Sequence, residues 1–140
     1  MRRIISRKTK ESIRKYILEN ITLADYGADE SLMTDSEKLL RTYSIFKDEK
    51  QWESIHFGDP PAFRHWLRGT PRAMAIAISY HDQRKIIGSW LEEAPEEIEQ
   101  YDDYCVADLY YWLITREFLQ MVRRIQKDQG SDVEMGAINF

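Results

Sequence analysis

A window from residue 60 to residue 81 carries arginines and histidines but no acid. Arg68 and Arg72 flank a Gly-Thr-Pro turn in this window, and proline in that position is typical of a helix start. Arginine pairs bind phosphate or carboxylate through paired hydrogen bonds, and a helix N-terminus favours the same ligands. The sequence therefore predicts an anion site, and its candidate residues are Arg64, Arg68, Thr70 and Arg72.

The basic window also has a structural interpretation, because seven acids lie between residues 92 and 103. Ion pairs between 60–81 and 92–103 would neutralise both segments, and such charge clusters usually cover a surface. A third interpretation is a helix-turn-helix made of residues 61–67 and 70–93. Its second helix is too long for a DNA reader and the net charge is −4, so nucleic-acid binding is an alternative that we do not favour.

The second chemical candidate is Glu117, which falls among apolar residues on the helical wheel of segment 102–127. A buried carboxylate must be ion-paired or protonated, and carboxylates of altered acidity collect at active sites. Arg14 and Arg124 are the candidate partners for a structural ion pair. We favour that pair, and an enzyme that uses a buried Glu117 is a second alternative.

Metal chemistry and nucleophilic catalysis have weaker support. Glu53 and His56 have Glu-x-x-His spacing, but a di-iron bundle needs two such motifs and the other histidines lack one. We therefore expect no metal and no cofactor. The one cysteine, Cys105, follows Asp102 and Asp103, and neighbouring acids raise a thiol pKa, so we expect a buried and inert thiol.

Length and composition are typical of one globular domain. The chain has 140 residues, 43% of them hydrophobic and 31% charged, and a domain of this size buries about two-thirds of its unfolded surface. The single cysteine and the absence of a signal peptide predict a cytoplasmic location. No run approaches the ~18 apolar residues of a membrane span, so we expect no membrane partner.

Hydrophobic spacing predicts five or six helices and no sheet. A first helix begins near Thr9, a capping box from Thr34 to Glu37 announces the second, and a short helix covers 61–67. A longer helix is expected over 70–93, and a further one begins near Pro95. We expect an all-α, irregular single-domain bundle over residues 1–130, followed by a flexible C-terminal tail at 131–140.

The C-terminal helix, about 103–126, is predicted to be the central element of the bundle. Eight apolar residues of segment 102–127 share one broad face, while Trp112 and Leu119 fall on the opposite side. We therefore expect neighbouring elements on almost all sides of this helix.

These features favour a small, non-catalytic protein–protein interaction module. Seventeen aromatic residues are available as binding anchors, and no catalytic motif accompanies them. Charge is segregated into basic segments 1–15 and 60–81 and an acidic segment 92–103. Opposed charge blocks favour a protein partner or self-association into a homodimer.

Overall fold

The computed structural model describes residues 5–50, 59–69, 72–92 and 98–129. They form five α-helices in an all-α, single-domain fold, as predicted. We number the helices α1 (Arg7–Asn20), α2 (Asp35–Lys50), α3 (Pro60–Gly69), α4 (Tyr80–Leu91) and α5 (Asp103–Asp128). Two short 3-10 turns, Ala24–Tyr26 and Glu30–Leu32, connect α1 to α2. The predicted tail at 131–140 and the Glu53–His56 motif lie outside the described residues.

Polar side chains at the helix starts explain where the helices begin. The backbone N–H of Glu37 donates to Thr34 Oγ1 at 3.1 Å, and the backbone N–H of Thr34 donates to Glu37 Oε1 at 3.3 Å. These reciprocal bonds confirm the predicted capping box of α2. Asp102 begins α5 in the same manner, because its carboxylate accepts a 2.8 Å hydrogen bond from the backbone N–H of Cys105.

Helix α5 is the centre of the bundle, as predicted. It packs against each of the other four helices. Its 26 residues span about 39 Å, so this one helix is long enough to contact all the others. Phe118 stacks on Phe63 of α3 at 4.7 Å between ring centroids, and Phe63 meets Phe46 of α2 edge to face at 4.9 Å. These fully buried rings join α2, α3 and α5 into one core.

The predicted helix over 70–93 is wrong in its first half. Helix α4 begins only at Tyr80, where the Ser79 hydroxyl accepts from the backbone N–H of Asp82 at 3.1 Å. It ends at Leu91, followed by Glu92 in the left-handed conformation with φ 55°. Residues 72–79 contain no α-helix, and Thr70 and Pro71 lie outside the described residues.

Pairing with the end of α1 explains why the chain after the turn at residues 72 and 73 is extended over residues 74–76. The backbone N–H of Thr22 donates to the Ala73 carbonyl at 3.0 Å, and the backbone N–H of Ala75 donates to the Asn20 carbonyl at 2.8 Å. Alternate side chains then point inward: Met74 and Ile76 are fully buried. Because residues 72–79 contain no α-helix, the helix-turn-helix interpretation loses the start of its second helix in the described part of the chain.

One flank of α5 departs from the predicted all-round cover. Leu119 is fully buried, but Leu109 and Trp112 are only partly buried. Cover from the other helices is therefore incomplete on the side of α5 that carries these two residues. Among the described helices, none combines the length and apolar character that crossing a bilayer requires.

Candidate functional site

The structure brings together two of the predicted anion-site residues. Arg64 and Arg68 lie one turn apart on α3, and both face Asp108 of α5, with nitrogen–oxygen distances of 3.0 Å and 3.8 Å. Their guanidinium groups also lie over aromatic rings of α5, Arg64 over Trp112 at 4.9 Å and Arg68 over Tyr111 at 5.5 Å. Both arginines are therefore engaged in joining α3 to α5.

Arg72 is placed elsewhere. Its guanidinium lies 4.8 Å from the centre of the Tyr26 ring and donates to the Asp25 carbonyl at 3.4 Å. Thr70 lies outside the described residues. The helix N-terminus that was expected to complete the anion site is absent from residues 72–79, so Arg68 and Arg72 do not flank a helix start there.

Among the described residues, no ion pair joins segment 60–81 to segment 92–103, although such pairs were expected. Asp103 pairs instead with Arg84 of α4, at 2.8 Å. The same Arg84 donates to the carbonyls of Ile98 and Tyr101 at 2.7 Å and 2.8 Å. Arg84 therefore fastens the loop before α5 to α4, and the acid that Arg64 and Arg68 contact comes from α5 itself.

Glu117 lies in the core with no exposed surface. Its Oε1 accepts a 3.1 Å hydrogen bond from Nε of Arg14, one of the two predicted partners. The second oxygen, Oε2, is buried without a hydrogen-bond partner among the described residues. Arg14 is the one ionic partner that Glu117 has among the described residues, and this geometry supports a structural ion pair between α1 and α5.

A buried polar chain that the sequence did not reveal joins α1 to α5. The Tyr110 hydroxyl donates to the Ile76 carbonyl at 2.9 Å, so the Tyr16 hydroxyl, 2.6 Å away, donates to Tyr110. Burial raises the pKa of Tyr110, which keeps its hydroxyl protonated as a donor. Trp90 stacks on Tyr110 at 6.1 Å and meets Tyr16 edge to face at 5.3 Å. Tyr16 and Tyr110 therefore support the extended segment rather than a reaction.

The incompletely covered flank of α5 forms a groove of about 350 Å³, which we call the α5 groove. Its floor is an apolar stretch of α5, and its walls come from Ile5, two residues before α1, from the end of α4 and from the loop before α5. The lining residues are Ile5, Leu91, Tyr101, Cys105, Leu109, Trp112, Leu113 and Arg116.

Four residues of this lining form one stripe along the helix. At 100° per residue, Cys105, Leu109, Trp112 and Arg116 fall within about 60° of one another, and the stripe is about 16 Å long. This spacing, i, i+4, i+7 and i+11, is that of a helix face which packs against another helix. The periodicity could have revealed the stripe, but only the structure shows that the described helices leave it partly uncovered.

Arg116 gives the α5 groove a charged end. It is partly buried and makes no ion pair or hydrogen bond among the described residues. A guanidinium at the edge of an apolar groove can donate paired hydrogen bonds to the carboxylate of an incoming partner.

Cys105 corrects another expectation, because it is exposed rather than buried. Hydrogen bonding to the Asp102 carboxylate raises the pKa of its thiol, with the same carboxylate's negative charge as the next cause. The direction agrees with the predicted effect of neighbouring acids, and it does not favour nucleophilic catalysis.

Metal chemistry and known relatives give no further guidance. Within the described ranges, no group of three His, Cys, Asp or Glu side chains is placed to hold a metal ion. The chain matches no protein-family model, no curated protein and no solved structure in the comparisons made. Any function must therefore be inferred from its own residues.

Proposed function

We propose that this protein is a non-catalytic protein–protein interaction module that binds through the α5 groove. The observation that carries the proposal is the apolar stripe of Leu109 and Trp112, which lies on the central helix and which the described helices cover only in part. Its single cysteine is exposed and has no disulfide, which fits a reducing compartment, and we propose the cytoplasm.

The chemistry of the α5 groove fits a protein surface better than a reaction centre. A tryptophan and an arginine at a partly enclosed apolar surface are the residue types that dominate binding energy in interfaces. Arg64 supports this role, since its guanidinium lies over the Trp112 ring and limits the freedom of that side chain. General acid–base chemistry most often uses histidine or a carboxylate, and the groove lining contains neither; beside Arg116 it offers only the Tyr101 hydroxyl and the Cys105 thiol.

The size of the α5 groove bears on what could occupy it. A volume of about 350 Å³ is at the low end of pockets that hold small molecules. A stable protein interface buries roughly 1,200–2,000 Å² in total, so a partner would cover the α5 groove and the surfaces beside it. Tyr104, 77% exposed on the neighbouring side of α5, is available to extend the contact.

The experiment is affinity enrichment from an extract of cells that make the protein, with bound proteins identified by mass spectrometry. The bait is compared with Leu109→Glu, which places a charge in the α5 groove. The matched control is Ser44→Glu, which places the same charge on an exposed position of α2. Circular dichroism and thermal unfolding confirm that both variants keep the fold.

The proposal expects a set of proteins, native copies of this chain included, that wild type and Ser44→Glu retain and Leu109→Glu loses. Retention of the same set by all three baits would contradict it. Anion or nucleic-acid binding through Arg64, Arg68 and Arg72 stays a prediction, but the separation of Arg72 from the other two gives it no added support.

A further inference from the structure

Opposite charges lie at the two ends of the helix that carries the α5 groove: Arg116 lines the groove, and Asp102, three residues before Cys105, lies outside its lining. Arg116, without an ionic partner among the described residues, lies at the C-terminal end of the stripe. Asp102 caps the N-terminal end of the same helix and is exposed. Hydrogen bonding from the backbone N–H of Cys105 lowers the pKa of Asp102, so its carboxylate is ionised at neutral pH. Fourteen residues separate the two charges, which is about 21 Å along the helix.

We infer that the occupant of the α5 groove is a second copy of this chain, with the two α5 helices packed antiparallel about a two-fold axis. The inference rests on the proposed function and names its partner. An antiparallel arrangement sets Arg116 of each copy against Asp102 of the partner subunit, so one symmetric contact forms two charge pairs.

The shape of the stripe favours a helix as its occupant. The backbone N–H groups of α5 are used within the helix, so an extended peptide laid on it would find no main-chain partners. A helix satisfies its own main chain and offers only side chains to the α5 groove. The α5 helix of a second copy meets this need and has the same residue spacing as the stripe that it would cover.

Charge pairing also determines the register. Position 109 lies midway between 102 and 116, so Leu109 of both copies would lie at the two-fold axis. Trp112 would then pack between Cys105 and Leu109 of the partner subunit. The two Cys105 residues would be offset by eight residues, about 12 Å along the helices, and helix axes are about 8–10 Å apart. A disulfide needs Cα atoms within about 7 Å, so the native cysteines would not cross-link.

The first test measures the mass of the purified chain in solution by sedimentation equilibrium. The inference expects a dimer of twice the 16.7 kDa chain mass. Arg116→Gln and Asp102→Asn each remove both charge pairs, and either should raise the dimer dissociation constant about tenfold or more. Asparagine caps helices about as well as aspartate, so Asp102→Asn preserves the start of α5. Glu19→Gln, an exposed site on α1, is the matched control and should leave the constant unchanged.

The second test places the axis. In a Cys105→Ser background, Leu109→Cys should form an intermolecular disulfide under mild oxidation, whereas the wild-type chain with Cys105 should not. Cross-linking at Cys105 together with none at Leu109→Cys would overturn the antiparallel register. A monomer at every soluble concentration would overturn the second-copy occupant.

The two proposals fail in different ways. A monomeric chain whose capture of other proteins still depends on Leu109 would leave the interaction function in place and remove only the second copy. A monomeric chain with no capture dependent on Leu109 would remove both.

Discussion

Tyr110 donates its hydroxyl hydrogen to the carbonyl oxygen of Ile76 at 2.9 Å, and both residues are fully buried. This bond links α5 to the non-helical segment 72–79. Tyr16 donates to the same Tyr110 oxygen, so one buried hydroxyl serves two elements. The extended segment before α4 therefore depends on α5 for the satisfaction of its backbone.

Removing the Tyr110 hydroxyl should destabilise the fold. Tyr110→Phe leaves the buried Ile76 carbonyl and the Tyr16 hydroxyl without this partner, and the expected loss is about 1–3 kcal/mol in the free energy of unfolding. Tyr16→Phe keeps the bond to Ile76, so a smaller loss of about 0.5–1.5 kcal/mol is expected. Urea unfolding of both variants measures the difference, and equal losses would contradict the assigned donor order.

The buried pair of Arg14 and Glu117 should be sensitive to the loss of either member alone. Arg14→Met leaves a buried carboxylate without its cation, and the expected cost is about 3–5 kcal/mol. The matched control is Lys15→Met, whose exposed contact with Glu19 at 3.9 Å should contribute less than about 1 kcal/mol. Recovery of stability in the double variant Arg14→Met with Glu117→Met would support the pairing. A similar cost for Arg14→Met and Lys15→Met would contradict it.

The thiol of Cys105 should respond to its neighbour. Hydrogen bonding to Asp102 raises the thiol pKa, so less thiolate is present at neutral pH and alkylation is slow. Asp102→Asn removes the negative charge and should lower the thiol pKa, which shifts the pH profile of alkylation to lower pH and speeds the reaction at pH 7. Asp103→Asn, whose native carboxylate pairs with Arg84, is the control. Identical profiles for all three proteins would argue against the hydrogen bond.

Two leucines on α5 should separate stability from binding. Leu113 is 3% exposed, and Leu113→Ala should cost about 2–5 kcal/mol in the free energy of unfolding. Leu109 is partly exposed in the α5 groove, so Leu109→Ala should cost clearly less while it weakens self-association. Thermal unfolding and sedimentation measure the two effects. A loss of stability at Leu109 as large as that at Leu113 would place Leu109 in the core.

The parts of this fold that depend on local chemistry can be predicted from the sequence. The capping box of α2 depends only on Thr34 and Glu37, which are three positions apart in the sequence. The apolar pattern of α5 identifies it as the central helix. The start of α4 was missed because a contact distant in sequence decided it. Met74 pairs with Ile21, and this bridge holds residue 74 outside the long helix that the residue types of Thr70 and Pro71 suggest.

The candidate site was less accessible to prediction for the same reason. Side-chain spacing places Trp112 on a second face of α5, but whether another element covers that face depends on the whole bundle. The charge pattern of 60–81 was visible, whereas the choice of Asp108 as the shared acid for Arg64 and Arg68 depends on how α3 crosses α5. Contacts between distant elements therefore determined the site.

Site-directed photo-crosslinking shows directly whether the α5 groove binds protein. The lone Cys105 at the end of the groove accepts a thiol-reactive benzophenone, and the labelled protein is irradiated in an extract of the cells that make it. If the α5 groove binds protein, irradiation should give a discrete covalent protein adduct, and Trp112→Ala should abolish this adduct. An adduct at twice the chain mass is expected if the occupant is a second copy. The same label on Ser44→Cys in a Cys105→Ser background should give no such adduct. Absence of any adduct from Cys105, or the same adducts from both positions, would contradict binding of protein at the α5 groove.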